Sequence, residues 1–250
     1  MENEQKQFQN RIRELEETSW QESRYLFTGF LNEAEYADVL ALGSPACGMK
    51  PFGGFEGAAR VMVRFGDPEV LGYEEPFPIT ILCVTPLMDK FADALTHRDF
   101  LGAILNLGIE RRVIGDILVD SPTAYVMCES QMAGFIADNL TRVRHTAVRA
   151  AITASLPDQV RPRLASQEIQ VSSNRIDAVI AQVYHLSRSG SQELMAGKQV
   201  YINGRTVENS SRELHEGDEV SVRHQGKFRY QGTVRQTRKG KLCVLIERYI

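Results

Sequence analysis

The chain has 250 residues, 43% of them hydrophobic and 24% charged, with a net charge of −3. That length allows one large domain or two to three small ones, and the longest apolar runs fall well short of a membrane span. The opening MENEQKQFQNRIRELEE reads as neither signal nor transit peptide, and Cys47, Cys83, Cys128 and Cys243 are scattered without a C-x-x-C pair, so reduced thiols, no metal and a cytoplasmic setting are expected.

Phe8, Ile12 and Leu15 fall at i, i+4 and i+7 and predict an amphipathic helix. Trp20 and the run from Tyr25 to Leu31 are expected to pack on the body. Asn32 with Glu35 has the form of a capping box, and Tyr36, Val39 and Leu40 give the following helix its apolar face. Gly43-Ser44-Pro45 ends it. Residues 47–57 read as a loop and residues 59–65 as a strand. Gly53-Gly54-Phe55-Glu56-Gly57 lacks G-x-G-x-x-G and the Lys-Ser/Thr of a phosphate loop, and it precedes a strand, so it reads as a tight surface turn. Residues 66–78, rich in Gly, Pro and acid, close a helical N-terminal module over residues 1–75.

Residues 79–84 read as a buried strand. Thr96 can start a helix with Asp99 reaching back to its N–H; that helix buries Phe100, Leu101, Ile104 and Leu105 and stops at Gly108. Strands at 114–119 and 124–128, a helix at 131–140 and a strand at 143–152 follow. Over residues 76–153 the order strand, helix, strand, strand, helix, strand is a split βαβ sandwich of RNA-recognition-motif type. The base-stacking aromatics of that fold are missing, with only Tyr125 on the two central strands. His97 and Arg98 read equally as part of a helix cap or as an RNA contact. Arg111 and Arg112, in a helix-to-strand loop, are better contact candidates. Residues 154–167, with Pro157 and Pro162, read as a linker.

Residues 166–250 carry 13 Lys/Arg against 9 Asp/Glu, a balance of +4, whereas residues 1–165 carry 16 against 23, a balance of −7. A basic tail on an acidic body fits a nucleic-acid reader. In the tail, Ile176, Val179, Ile180 and Val183 form one helical face, with Ser173 as its cap. After a short Tyr184-His185-Leu186 connection, Ser187 or Ser189 caps a second helix, which ends at a left-handed Gly197. A strand at 198–202 runs into Asn203-Gly204, a type I′ hairpin signal. Strands at 219–223, 227–235 and 241–247 complete a small β-meander. Arg175 and Arg188, in the first turns of their helices and off the apolar faces, would concentrate positive charge at two helix N-termini, as a phosphate site requires.

Ser173-Asn174-Arg175-Ile176-Asp177, Leu186-Ser187-Arg188-Ser189 and the run Gly197-Lys198-Gln199-Val200-Tyr201-Ile202-Asn203-Gly204 resemble the S-four-type RNA-binding domain first described in ribosomal small-subunit protein four. With the segment from Thr96 to Asp116, nearly the whole chain resembles the YlmH-like bacterial RNA-binding proteins. The fold expected is therefore α+β: a helical N-terminal module, an RNA-recognition-motif-like middle domain and an S-four-type domain over 166–250. The RNA-binding set expected is Arg175, Asp177, Ser187, Arg188, Lys198, Arg205, Arg223, Lys227 and Arg229, with Asp177 orienting Arg175. A second RNA or ribosome contact is expected from His97, Arg98, Arg111 and Arg112.

The resemblance implies ribosomal RNA or tRNA on the large ribosomal subunit as the partner, a part in rescuing stalled peptidyl-tRNA complexes, and an association with cell division. No G-x-S-x-G, H-E-x-x-H or paired Cys/His spacing is present, so no catalytic residues, cofactor, small-molecule substrate or membrane insertion are expected. The alternative is an RNA-modifying enzyme, of pseudouridine synthase or methyltransferase type, with an appended S-four-type domain.

Overall fold

Phe8, Ile12 and Leu15 do share one side of a helix: α1 (Glu2–Glu22) lays them against Leu31, Val39, Val63 and Phe65. The computed structural model describes residues 2–88 and 93–249, and the chain divides into two units, residues 1–161 and 162–250. In the first unit α1 leads to β1 (Leu26–Phe27), α2 (Glu33–Ala41), β2 (Met49–Phe52), β3 (Met62–Phe65) and α3 (Pro68–Leu71). The capping box of α2 is complete: Glu35 N donates to Asn32 Oδ1 at 3.0 Å and Asn32 N donates to Glu35 Oε2 at 2.7 Å.

Three expectations for this stretch fail. Trp20 is exposed, because the inward position in that turn of α1 belongs to Ser19, whose hydroxyl donates to Arg24 O. Leu40 is exposed as well, leaving Val39 as the buried anchor of α2. Residues 49–52, read as loop, form strand β2 at the edge of a three-stranded sheet in the order β1-β3-β2. Met-Lys-Pro-Phe has no alternation to announce it, and Pro51 is tolerated because only one side of the strand is paired.

The middle of the unit is built from β4 (Ile79–Pro86), α4 (His97–Leu105), β5 (Ile114–Asp120), β6 (Thr123–Glu129), α5 (Ser130–Asn139), β7 (Arg142–Val143) and β8 (Thr146–Thr153). Its antiparallel sheet has the order β5-β6-β4-β8-β7, so the first and third strands of the repeat are central, as in a split βαβ sandwich. Thr96 N donates to Asp99 Oδ2 at 2.8 Å to start α4. Phe100, Ile104, Ala133 and Ile136 cover one sheet face over Leu82, Val84, Val126 and Val148.

The opposite face is where a base-stacking platform would lie. Here Phe30, Phe55, Met62 and Leu156 close over Met127, with Ile79, Ile81, Leu118 and Tyr125 packed alongside. Gly54 permits this approach: its φ is +99°, and a Cβ there would stand 2.9 Å from Met127 Cγ. Asp116 fastens the same turn by accepting from Ala59 N at 2.6 Å and Arg60 N at 3.2 Å.

The second unit has the strand order β11-β10-β12-β13-β14-β9, formed by β9 (Leu164–Val171), β10 (Val200–Ile202), β11 (Arg205–Thr206), β12 (Glu219–Val222), β13 (Gly226–Gln236) and β14 (Leu242–Tyr249). Strand β9 begins inside the stretch read as linker and pairs with β14 from Leu164↔Tyr249 to Val171↔Leu242. Helices α6 (Ile176–Val183) and α7 (Arg188–Ala196) cover one face, where Val179, Ile180 and Met195 meet Val200, Val220, Phe228, Val244 and Ile246.

Two helix ends differ from expectation. The N-cap of α6 is Arg175 and not Ser173, since Ile176 N donates to Arg212 O and the segment is pinned by a bridge between Arg175 and Glu213. At the end of α7, Gly197 is right-handed (φ −77°) and Lys198 takes the left-handed position (φ 55°). Lys198 N donates to Met195 O and Gln199 N to Leu194 O, the two bonds of a Schellman motif shifted by one residue.

Candidate nucleic-acid interface

Both helices of the second unit begin at one buried carboxylate. Asp177, in the first turn of α6, has a side chain with no solvent exposure. Arg175 donates to it through Nε at 3.2 Å and Nη2 at 3.0 Å, Arg188 through Nη2 at 2.9 Å, and Gln192 through Nε2 at 3.3 Å. Ser191, also buried, donates to Asp177 O, which locks the start of α7 onto α6. Ser187 caps α7 by accepting from Gly190 N at 3.0 Å. Burial would push the Asp177 carboxyl up, but the bonds from Arg188, Gln192 and Arg175 prevail and hold it below the usual carboxylate range.

Two guanidiniums around one carboxylate leave a formal charge of +1. Arg175 is about a third exposed and Arg188 about half, and each fork has five N–H donors, so N–H groups remain beyond those that Asp177 takes. Planar forks held in place beside two helix N-termini suit a phosphate.

The rest of the expected set divides between faces. Val200, Ile202, Val220, Val222, Phe228 and Tyr230 point under the helices, so Tyr201, Glu219, Ser221, Lys227 and Arg229 alternate to the opposite sheet face. There Glu219 gathers the cations, with Lys227 Nζ at 2.7 Å and Arg229 Nη2 at 3.5 Å, and Tyr249 OH donates to the same carboxylate. Burial pushes Glu219 up, but these partners, Lys227 foremost, hold it low. Arg223 reaches Tyr201 OH at 3.4 Å. Lys198 pairs with Glu208 at 3.3 Å on the exposed surface, and Arg205 sits exposed in the β10–β11 hairpin. Reading the sequence missed Gln192 and Ser191, although their i+4 and i+3 spacing from Arg188 on one helix places them within reach of it.

In the first unit, Arg111 donates to the carbonyls of Ile114 and Gly115, and burial brings its pKa down to about 10. Arg112 pairs with Glu110 at 2.6 Å. Partial burial, then Arg111 and Arg98, hold His97 below the usual imidazole value. Arg111 is therefore tied into the loop, whereas Arg98 and Arg112 reach solvent. Among the described residues no three His, Cys, Asp or Glu side chains gather as a metal site, and no helix is long and apolar enough to cross a membrane.

The comparisons with known proteins fall on the same two regions. Residues 73–155 match the family described as "Putative RNA-binding domain in YlmH", and residues 174–220 match the S4 domain. "Ribosome-associated protein quality control protein P2" of Bacillus subtilis (strain 168) is 29% identical over 231 residues, which span 90% of this chain and 88% of that protein. The solved structure of "Cell division protein ylmH from Streptococcus pneumoniae" matches with a TM-score of 0.49 at 22% identity, over 60% of this chain and 91% of that one. The chain thus carries a segment matched to the RNA-binding domain of YlmH followed by an S4 domain, and in this arrangement it is similar to the YlmH-like RNA-binding proteins.

Proposed function

We propose that this protein binds structured RNA of the large ribosomal subunit, ribosomal RNA or tRNA, without chemically altering it, and that it serves in the cytoplasm in the rescue of stalled peptidyl-tRNA complexes. The observation that carries the reading is the pair of guanidiniums oriented by buried Asp177 at two helix N-termini, inside the matched S4 domain. The name of the Bacillus subtilis relative supports the ribosomal setting.

In this reading Arg175, Ser187 and Arg188 make the primary contact. Lys198, Arg205 and Arg223 extend it, and Lys227 and Arg229 add to it when RNA competes with Glu219. Co-sedimentation of the full chain with purified large subunits tests the reading, with Arg175→Ala/Arg188→Ala as comparison. The expected result is comigration of the wild-type chain and loss of it in the variant. Comigration with small subunits alone would refute the assignment. Incubation with tRNA or ribosomal RNA, with or without S-adenosylmethionine, is expected to leave every nucleoside unchanged in a mass-spectrometric digest.

A further inference from the structure

The first unit is acidic overall, but its β7–β8 hairpin is basic. From Leu140 to Pro157 there is no Asp or Glu, while Arg142, Arg144, His145 and Arg149 occupy the β7–β8 hairpin and all four are exposed. The register sets where they stand. Arg142 pairs with Ala147, and Ala147, Arg149 and Ala151 share a side of β8, so Arg142 and Arg149 project from one sheet face with only small side chains between them. Arg149 lies opposite Thr85, and Ala151 is level with Cys83 and Tyr125 on the two central strands. This is the face that Phe30, Phe55 and Leu156 cover elsewhere, and their cover lies over Met127 and Ile81, toward its other end.

We infer that the β7–β8 hairpin is the RNA contact of the middle domain. Its occupant is an RNA backbone whose phosphates pair with Arg142 and Arg149 across the end of the sheet where, among the described residues, Ala147, Arg149 and Ala151 are exposed. The inference rests on the RNA-binding reading above and adds a second site to it. Three observations carry it. Charge is complementary on an otherwise acidic unit. Small residues (Ala147, Ala151, Thr85) let a backbone approach the sheet. The hairpin also lies within the segment matched to the YlmH RNA-binding domain. Arg144 is partly engaged by Asp99 at 3.7 Å, which leaves Arg142 and Arg149 as the phosphate contacts. No base-stacking platform is involved, so this contact tracks the backbone and carries little sequence preference.

The test uses the full chain and large-subunit ribosomal RNA in filter binding over a salt series, comparing wild type, Arg142→Ala/Arg149→Ala and Arg142→Lys/Arg149→Lys. The alanine pair is expected to bind about tenfold more weakly, and its log-affinity against log-salt slope to flatten by about 0.7–0.9 per lost phosphate contact. The lysine pair, which keeps the charge, is expected to retain most of the affinity and to confirm that the strands still form. Wild-type affinity and slope in the alanine pair would overturn the second site while leaving the first standing. A wild-type chain that binds no RNA would instead defeat the reading beneath it. If the alanine pair keeps naked-RNA binding but loses intact subunits, the hairpin meets an acidic ribosomal protein and the RNA assignment is overturned.

Discussion

Arg188 Nη2 stands 2.9 Å from Asp177 Oδ2, and that carboxylate is wholly out of solvent. The contact joins the first turns of two helices, so it is structural, and it also orients the fork to which the proposed function assigns phosphate. The sequence places Arg188 off the apolar face of its helix, where truncation would cost within about 0.5 kcal/mol. Its bond to a buried charge changes that expectation. Arg188→Ala leaves Asp177 with Arg175 and Gln192 only, and the half-exposed arginine should cost about 1–2 kcal/mol when lost. Affinity for RNA should fall roughly tenfold or more, with a flatter salt slope. Arg188→Lys should recover stability better than affinity, because an ammonium cannot bond the carboxylate and a phosphate with one planar fork. Melting and filter binding on both variants check this. Equal recovery of the two properties would count against phosphate recognition by a fork.

Asp177 itself makes a pH prediction. Its folded pKa lies below the ordinary carboxylate value of 3.8, so its contribution to stability is complete above that value and is lost as pH falls through the folded pKa. Glu219 acts in the same direction from 4.5. Stability of the second unit should therefore hold from neutrality to about pH 5 and decline below about pH 4. Asp177→Asn should be less stable at pH 7, by about 1–3 kcal/mol, with a smaller further loss on acidification. Urea titrations at pH 7 and pH 3, followed by circular dichroism, measure both effects. An unchanged acid dependence in the variant would mean that other carboxylates set it.

How far these features can be read from the sequence depends on how local they are. The caps at Asn32/Glu35 and Thr96/Asp99 are each settled within four residues, so side-chain chemistry alone announces them. The order of the middle domain is legible because its strands and helices differ in period. Strand β9 is not: Leu-Ala-Ser-Gln-Glu-Ile-Gln-Val is half polar, with three consecutive polar residues at its centre, and follows Pro162, and only its pairing with β14, more than 70 residues on, makes it a strand. Lys198 is a case of the same kind, since Gly197 sits one residue early for the Schellman bonds that form. At the site, the arginines are visible as spacing, but the burial of Asp177 and the pinning of Lys227 and Arg229 by Glu219 depend on packing and register.

Arg64 is the clearest buried charge that the pattern conceals. In Met-Val-Arg-Phe it occupies a strand, yet it is only 2% exposed. Its Nη1 donates to Glu75 O at 2.5 Å, its Nη2 meets Glu74 at 3.3 Å, and the guanidinium lies 4.5 Å over Tyr25 and 5.4 Å over Phe77. Arg64→Ala removes both the stem packing and the bonds, and should destabilise the first unit by about 3 kcal/mol. Arg64→Met refills the volume and should recover much of that. The lone tryptophan, Trp20, reports the unfolding of this unit in urea. RNA affinity should be unchanged in both variants at temperatures where they remain folded.

The last prediction concerns the sheet face opposite the helices. Lys227 is about a fifth exposed and Arg229 about a third, and both are paired to Glu219, which also accepts from Tyr249. A phosphate can recruit these cations only by competing with that carboxylate. Glu219→Gln keeps the shape and removes the competition, so Lys227 and Arg229 should become available and RNA affinity should rise. The salt slope should steepen by up to about 0.9 for each cation that gains a phosphate. Stability should fall at the same time, because two partly buried cations lose their partner. Melting temperature and filter binding therefore move in opposite directions in this one variant. Arg188→Ala differs, since it lowers both. A Glu219→Gln chain that melts lower but binds RNA with unchanged affinity and slope would remove Lys227 and Arg229 from the contact set, leaving recognition to the Asp177-centred arginines.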